Sequence, residues 1–483
     1  MSLRRKLLNP FAMLGLVAVI GTVAGLGLAG AFDSDDSDSQ ETKALASTPT
    51  PTPAPAPNSG EAPRTTPNPV RETDGAAGPA TVPQPGETAE PSAKPSPEIT
   101  DTEAPSHAPA PALNDTTTTG TVVQPDPNFE DALKSARLST RGWKTDFSLH
   151  TVPFDEILSG GVPRDGIPSI DDPKFISPET ANGWLTDPEP VISFQLNGDA
   201  RAYPLKILTQ HEIVNDQVGG VPVIVTFCPL CNSALVFDRR LEGTVYEFGV
   251  SGNLRKSDLI MYDRLTQTWW QQLTGEAIVG ELTGYKLTFL PASIISYGDF
   301  KAASPQGQVL SRNTGHSRNY DRLPYAGYDR ADNPPFLFDG DLDGRLLPKE
   351  RVAALTIGDV DAAFPFTLLD TERVVNYTVG GLDVVIFFKP GTLSAFDSLL
   401  TGGPDAVGAT GVFEAYLDGR KLTFRPQGDS FVDNETGSVW NILGQATQGP
   451  LAGEALTPIV HGNHFWFAWG AFKPNTLIYQ GTG

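Results

Sequence analysis

The chain of 483 residues contains two cysteines, and both stand in the run Cys228-Pro229-Leu230-Cys231. Two thiols at this spacing can close a small strained ring that is easily reduced, and the first sulfur of such a pair tends to have a depressed pKa. The pair therefore suits thiol redox chemistry. Joined by one or two histidines it suits copper or zinc, and in an oxidising compartment it suits an inert disulfide, although so short a loop gains little chain entropy by closing. Haem attachment through C-x-x-C-H is excluded because Asn232 stands where the histidine is needed. Two cysteines also exclude a disulfide-rich scaffold and a Cys-only zinc cluster.

Residues that could assist the sulfurs are few. His211 lies one hairpin upstream of Cys228, where antiparallel pairing could bring it close as general base or thiolate partner. Arg255 and Lys256 could supply positive charge, and Asn253 and Ser257 could donate to a bound oxygen. Trp269 could line a pocket on the face opposite Trp270. Arg312, Thr314, Gly315, His316 and Arg318 form a polar group ahead of Tyr320, and His316 could complete a Cys2His2 metal site. His461 and His464 form a H-x-x-H pair. One run matches a calcium loop in full: Asp339, Asp341, Asp343, Gly344 and Glu350 satisfy D-x-D-x-D-G-x5-E. Its surroundings disagree, with Pro334-Pro335 before it and Pro348 inside it. No G-x-x-x-x-G-K or G-x-S-x-G motif is present, so nucleotide hydrolysis and serine esterase chemistry have no support.

The elements that must position these groups are strands. Val191 to Leu196 leads into an Asn197-Gly198 turn, and residues 211–218, Gly219-Gly220 and 221–227 read as a second hairpin. The apolar run Val223 to Phe227 predicts a strand buried on both faces. Further strands are expected at 234–239, 244–249, 259–264 and 277–281, with short helices near 130–137, 292–297 and 468–472. The sequence also aligns with itself. Residues 197–229 match 357–390, pairing Pro204 with Pro365, Asn215 with Asn376, Gly219-Gly220 with Gly380-Gly381 and Phe227 with Phe388. Asp263 to Trp270 matches Asp433 to Trp440, and the run from Gly284 matches that from Gly453. The expected fold is mainly β (β-rich α+β): two diverged tandem repeats form two antiparallel β lobes, at 126–303 and 351–483, with a connection inserted at 304–350. Lys389 and Glu372 stand in the second repeat where the first has Cys228 and His211. The cysteines are thus not required to build a lobe, which points to chemistry of the first lobe alone.

The run TFCPLCNSALVFDR, followed by FGVSGNLRKSDLIMYDRLTQTWWQQLTGEAI and later by LSRNTGH and LPKERV, resembles the family catalogued as domain of unknown function 3179, over about residues 151–483. Some members of that family carry selenocysteine in the cysteine motif. The resemblance implies thiol or selenol redox chemistry at Cys228 and Cys231 and no particular substrate; this chain keeps sulfur at both positions.

The rest of the chain concerns location. Arg4, Arg5 and Lys6 precede an uncharged apolar stretch to Phe32, long enough to span a bilayer. Residues 1–32 therefore read as a single-pass anchor in the cell membrane, with the basic end in the cytoplasm and the folded part outside it; Ala29-Gly30-Ala31 offers a cleavage site, and secretion is the alternative. Of the 43 prolines, 18 fall between residues 32 and 126, and 33–125 reads as a disordered Pro/Ala/Thr-rich linker. The net charge of −22 excludes a nucleic-acid partner. The sequence favours a thiol-dependent oxidoreductase acting on a small molecule or a protein thiol. Its alternatives are a metal-binding module, or a non-enzymatic envelope scaffold. The redox reading requires that the sulfurs be reachable and have a basic or imidazole neighbour.

Overall fold

Alternating and β-branched runs between glycine turns make the described part of the chain mainly β, with most strands paired antiparallel and few short helices. The computed structural model describes residues 120–396 and 406–482; the 1–32 segment and nearly all of the 33–125 stretch lie outside the described residues. Among the described residues no helix is long and apolar enough to cross a membrane.

Asn197-Gly198 turns Pro190–Leu196 back onto Asp199–Pro204, with both turn residues at positive φ (49° and 81°). Gly219-Gly220 does the same between Ile213–Val218 and Val221–Cys228. Gly219 is needed for a second reason: a Cβ there would lie 2.3 Å from the Leu196 carbonyl oxygen, where the two hairpins touch. Val221–Cys228 runs between Ile213–Val218 and Ser233–Asp238 in a four-stranded sheet completed by Phe289–Leu290, and is buried along nearly its whole length. A five-stranded sheet orders Ile157–Ser159, Phe248–Arg255, Asp258–Asp263, Trp269–Gln271 and Ala277–Val279. The second half has sheets of four strands (Gly462–Phe465, Arg351–Ile357, Val360–Pro365, Leu477–Ile478), of three (Val374–Val379, Leu382–Lys389, Ala409–Glu414) and of four again (Phe424–Gln427, Ser430–Asp433, Val439–Trp440, Ala446–Gln448).

Two expectations are corrected. Residues 292–296 are not helical; Ser293–Ser296 is a strand, because Ile294 and Ile295 pair with Ile192 and Val191, and the helix Tyr297–Ala303 begins only after Ser296 caps the Asp299 N–H. The strand expected at 244–249 breaks into Thr244–Val245 and Phe248–Arg255. The two halves share hydrophobic clusters. One hydrophobic cluster joins Ile192, Phe227 and Trp270 to Val352, Phe465 and Trp466, and another joins Val191 and Tyr297 to Phe387 and Trp440. All the described residues fall in one compact unit. The inserted stretch contributes Gln308–Leu310 as a parallel partner of Asp199–Pro204, and its aromatics Tyr325, Tyr328, Phe336 and Phe338 pack onto the larger cluster.

Candidate metal centre

Cys228 is the last residue of the central strand, and Pro229–Cys231 forms a single 3-10 turn closed by Asn232 in the left-handed region (φ 51°). This turn brings the two cysteines to 3.7 Å with no disulfide between them. Asn232 fixes the turn from the far half of the chain by donating its amide to the Asn463 carbonyl at 2.6 Å.

A hairpin tip supplies the other wall. Between Phe248–Arg255 and Asp258–Asp263 the two turn residues, Lys256 and Ser257, both have positive φ (52° and 67°), a conformation that glycine or asparagine adopts more cheaply. Ser257 is there for its contacts. Its carbonyl accepts from Cys228 (3.8 Å) and Cys231 (3.5 Å), and its hydroxyl donates to the Phe336 carbonyl at 2.5 Å, tying the inserted stretch over the site. Tyr328 adds to that roof, donating to the Leu230 carbonyl and accepting from the Phe336 N–H, both at 3.2 Å.

Next to Ser257 stands Asp258, fully buried. One carboxylate and the two sulfurs offer ligand atoms that all lie within 4.8 Å of one another, the only such group of three among the described residues. Asp258 Oδ2 accepts from the Gln271 amide (2.7 Å) and the Leu273 N–H (2.9 Å), whereas Oδ1 is sealed from solvent with no partner but the two thiols beside the carboxylate. An orphaned buried carboxylate oxygen costs free energy unless a cation or proton meets it. Glu212 is also buried; the charge of Asp258 acts on it, and its own acts on Cys228.

The electrostatics are one-sided. Burial first, and Asp258 after it, push Glu212 up to about 8. Burial pushes Asp258 up to about 6 against the hydrogen bonds it accepts. Burial also raises both thiols, Cys231 well above its ordinary value, and the charged groups acting on them, Asp258 and Glu212, are acidic. The expected depression of the Cys228 pKa is thereby corrected: the surroundings disfavour the thiolate. Cys228 and Cys231 are 2% and 0% exposed. A cleft of about 640 Å³ between the halves is lined by Lys256 and Leu273, beside the site, but by neither cysteine.

The site's residues fall within the stretch 164–476, which matches the model of a family described as a protein of unknown function (DUF3179). The chain belongs to this family. No curated protein and no solved structure matches it.

Within this DUF3179 domain the other singled-out residues lie elsewhere. His211 is buried, with Nδ1 at 2.7 Å from the Pro168 carbonyl and Nε2 at 2.8 Å from the Tyr320 hydroxyl, which also meets Thr314 at 2.6 Å. Its ring centre is 5.4 Å from that of His316, whose Nε2 faces the Ser169 carbonyl. His211, His316, Thr314 and Tyr320 thus form one polar knot, with both nitrogens of His211 engaged away from the sulfurs. Arg255 is paired with Glu156 at 2.6 Å, and Arg312 with Asp321 at 2.8 Å. Asn253 sits in the irregular stretch of its strand, opposite Ser159. Trp269 does face away from Trp270, but into a core, edge-on against Trp143 and Phe147, rather than a pocket.

The calcium pattern does not assemble. Asp339, Asp341, Asp343 and Glu350 form no convergent group, and Arg345 holds the Asp343 carboxylate at 2.6 Å. His461 and His464 are buried and held toward the neutral form, with His464 stacked on Trp469. Sequence reasoning missed Asp258 and Glu212. Only Glu212 left a signal, in the self-alignment: an acid at 212 stands opposite a base at 373, in the repeat that also exchanges Cys228 for Lys389.

Proposed function

We propose that Cys228, Cys231 and Asp258 hold a first-row transition-metal ion, and that the protein is a metal-binding module of the cell envelope. The observation that carries this reading is the sulfur pair converging with a sealed carboxylate that has an oxygen with no partner but the thiols. The spacing fits. At about 2.3 Å per zinc–sulfur bond a tetrahedral ion sets two sulfurs about 3.8 Å apart, against 3.7 Å here. Two thiols and two carboxyls in one buried place need either protons or a cation, and a bound ion removes the cost of their burial. The basic residues and apolar stretch at the N-terminus support a membrane tether with this domain outside the cytoplasm.

A dithiol redox centre is the second reading, favoured by the same short sulfur separation and by the kinship with proteins that carry selenocysteine at this motif. Exchange with a partner disulfide would leave Cys228 and Cys231 joined and the partner as two thiols, with Asp258 as a proton acceptor. The raised thiol pKa values and the roof of Tyr328 and Phe336 count against it. Elemental analysis of the full chain, purified without chelator, separates the two. One equivalent of divalent metal per chain, absent from the C228A/C231A variant, is expected. A metal-free chain whose thiols equilibrate with a glutathione series near the potentials of redox proteins overturns the metal reading in favour of exchange.

A further inference from the structure

We infer that the cleft beside the cysteines binds a small organic anion, a carboxylate on an apolar body, held by the His464 imidazole and the Lys256 ammonium. The inference goes beyond the metal reading and stands without it. The cleft, of about 640 Å³, has the size of a small-molecule site. Its wall is apolar at Leu235, Phe289 and Leu355 and aromatic at Trp469 and Phe472. In a chain of net charge −22, four cations line it (Arg255, Lys256, Lys286 and Lys473) against one acid, Glu276. Three of the cations are matched: Arg255 by Glu156 at 2.6 Å, Lys473 by Asp361 at 3.0 Å, and Lys286 loosely by Glu276 at 3.7 Å. Lys256 has no carboxylate partner among the described residues; its ammonium donates to the Ala471 carbonyl at 2.9 Å and lies 5.5 Å from the centre of the Phe472 ring. One positive charge is left over.

The same wall carries an unsatisfied donor. His464 is 1% exposed and stacked on Trp469, and neither of its ring nitrogens has a hydrogen-bond partner among the described residues. Nδ1 is sealed from solvent. A sealed nitrogen costs less as a bare lone pair than as an N–H, so the proton sits at Nε2. Gly462 leaves that nitrogen uncovered: a Cβ at 462 would lie 2.2 Å from Nε2, and Gly462 itself lines the cleft. The matching strand of the first half shows that the fold needs neither residue. There Ser293 and Ile295 pair with Ser193 and Val191, as Gly462 and His464 pair with Ala354 and Val352. Ile295 fills its place as an apolar core residue. The second half thus gives up an apolar side chain and a Cβ, and presents an N–H to the cleft instead. An anionic oxygen satisfies that donor and balances the Lys256 charge, while the aromatic wall takes the apolar body.

Isothermal titration of the full chain with 1-naphthoate, and with its uncharged isostere 1-naphthamide, tests the assignment. The naphthoate is expected to bind one equivalent at least about tenfold more tightly than the amide. K256Q, which removes the charge, and H464F, which keeps a ring on Trp469 without the nitrogens, are each expected to weaken naphthoate at least about fivefold and to leave the amide within about twofold. E276Q, which frees Lys286, is expected to tighten naphthoate about twofold. C228A/C231A is expected to bind naphthoate as the wild type does, so that failure of this site and failure of the metal centre read out separately. No binding of naphthoate, equal affinity for the acid and the amide, or unchanged affinity in both K256Q and H464F overturns the site. So does naphthoate binding that disappears with the cysteines, which would place the anion on the metal.

Discussion

The two halves of the molecule use the same framework and differ at the places where chemistry is possible. Asn215 bonds the Phe248 N–H and carbonyl at 2.9 and 2.8 Å, and Asn376 bonds those of Phe424 at the same two distances. Buried Asp263 accepts from the Thr266 N–H, the Thr268 N–H and the Trp270 indole, and buried Asp433 accepts from Thr436, Ser438 and Trp440 in the same way. Against this likeness, Asp258–Asp263 is six residues long and Ser430–Asp433 four. The longer hairpin is what carries Ser257 and Asp258 to the cysteines. Where it stops short, Lys389 takes the place of Cys228 and reaches Asp299. Framework and site are thus separable, and the acidic, sulfur-bearing cluster is an addition to a fold that stands without it.

The largest expected effect breaks the site and spares the framework. C228A/C231A should lose essentially all metal, while its far-ultraviolet circular dichroism stays that of the wild type. K389C should create no second site, because Thr392 stands where the first half has Cys231 and the second half offers no second sulfur; a second bound equivalent would show that the sulfur pair is not what holds the ion. Breaking the shared framework should instead hurt both halves alike. D263A and D433A each leave a buried indole N–H and two backbone N–H groups unpaired, and each should cost about 3 kcal/mol in urea unfolding. A cost confined to one of them would mean that the two knots carry unequal weight.

Acid should sharpen the comparison through the histidines that each half owns separately. Burial lowers His211 to about 4 and His464 to about 3. Both are neutral when folded and titrate near 6.5 when unfolded, so their contribution is full above pH 6.5 and is lost as pH falls toward 4 and 3. The expected slope is about 1.4 kcal/mol per pH unit for each group. H464I, which copies the Ile295 that occupies the matching strand position of the first half, should flatten the dependence between pH 6 and 4 in urea unfolding; an unchanged slope would remove His464 from the account. The smallest effect is expected from K389M. It breaks a partly buried ion pair between the halves and should cost about 1 kcal/mol, less at high salt.

Much of the framework was legible because its signals are local. Asn197-Gly198 and Gly219-Gly220 mark hairpins by their backbone demands alone, and the repeated Asn, Gly-Gly and Trp positions mark the residues that the scaffold uses twice. The cysteines stood out by the same comparison. Asp258 did not, because an aspartate after a turn has the look of a solvated loop, and nothing local tells that Gln271 and Leu273 will enclose it. Glu212 was hidden beside His211. The charge of the glutamate acts on Cys228, while the histidine is spent on Pro168 and Tyr320, 43 and 109 residues away in sequence. The Asp339–Glu350 pattern failed for the converse reason: spacing alone does not make carboxylates converge when Arg345 is at hand to take one of them.

X-ray absorption at the edge of the metal bound to the full chain tests the centre most directly. The account predicts two sulfur neighbours at about 2.3 Å and at least one oxygen neighbour close to about 2.0 Å. A shell of nitrogen and oxygen without sulfur would contradict it.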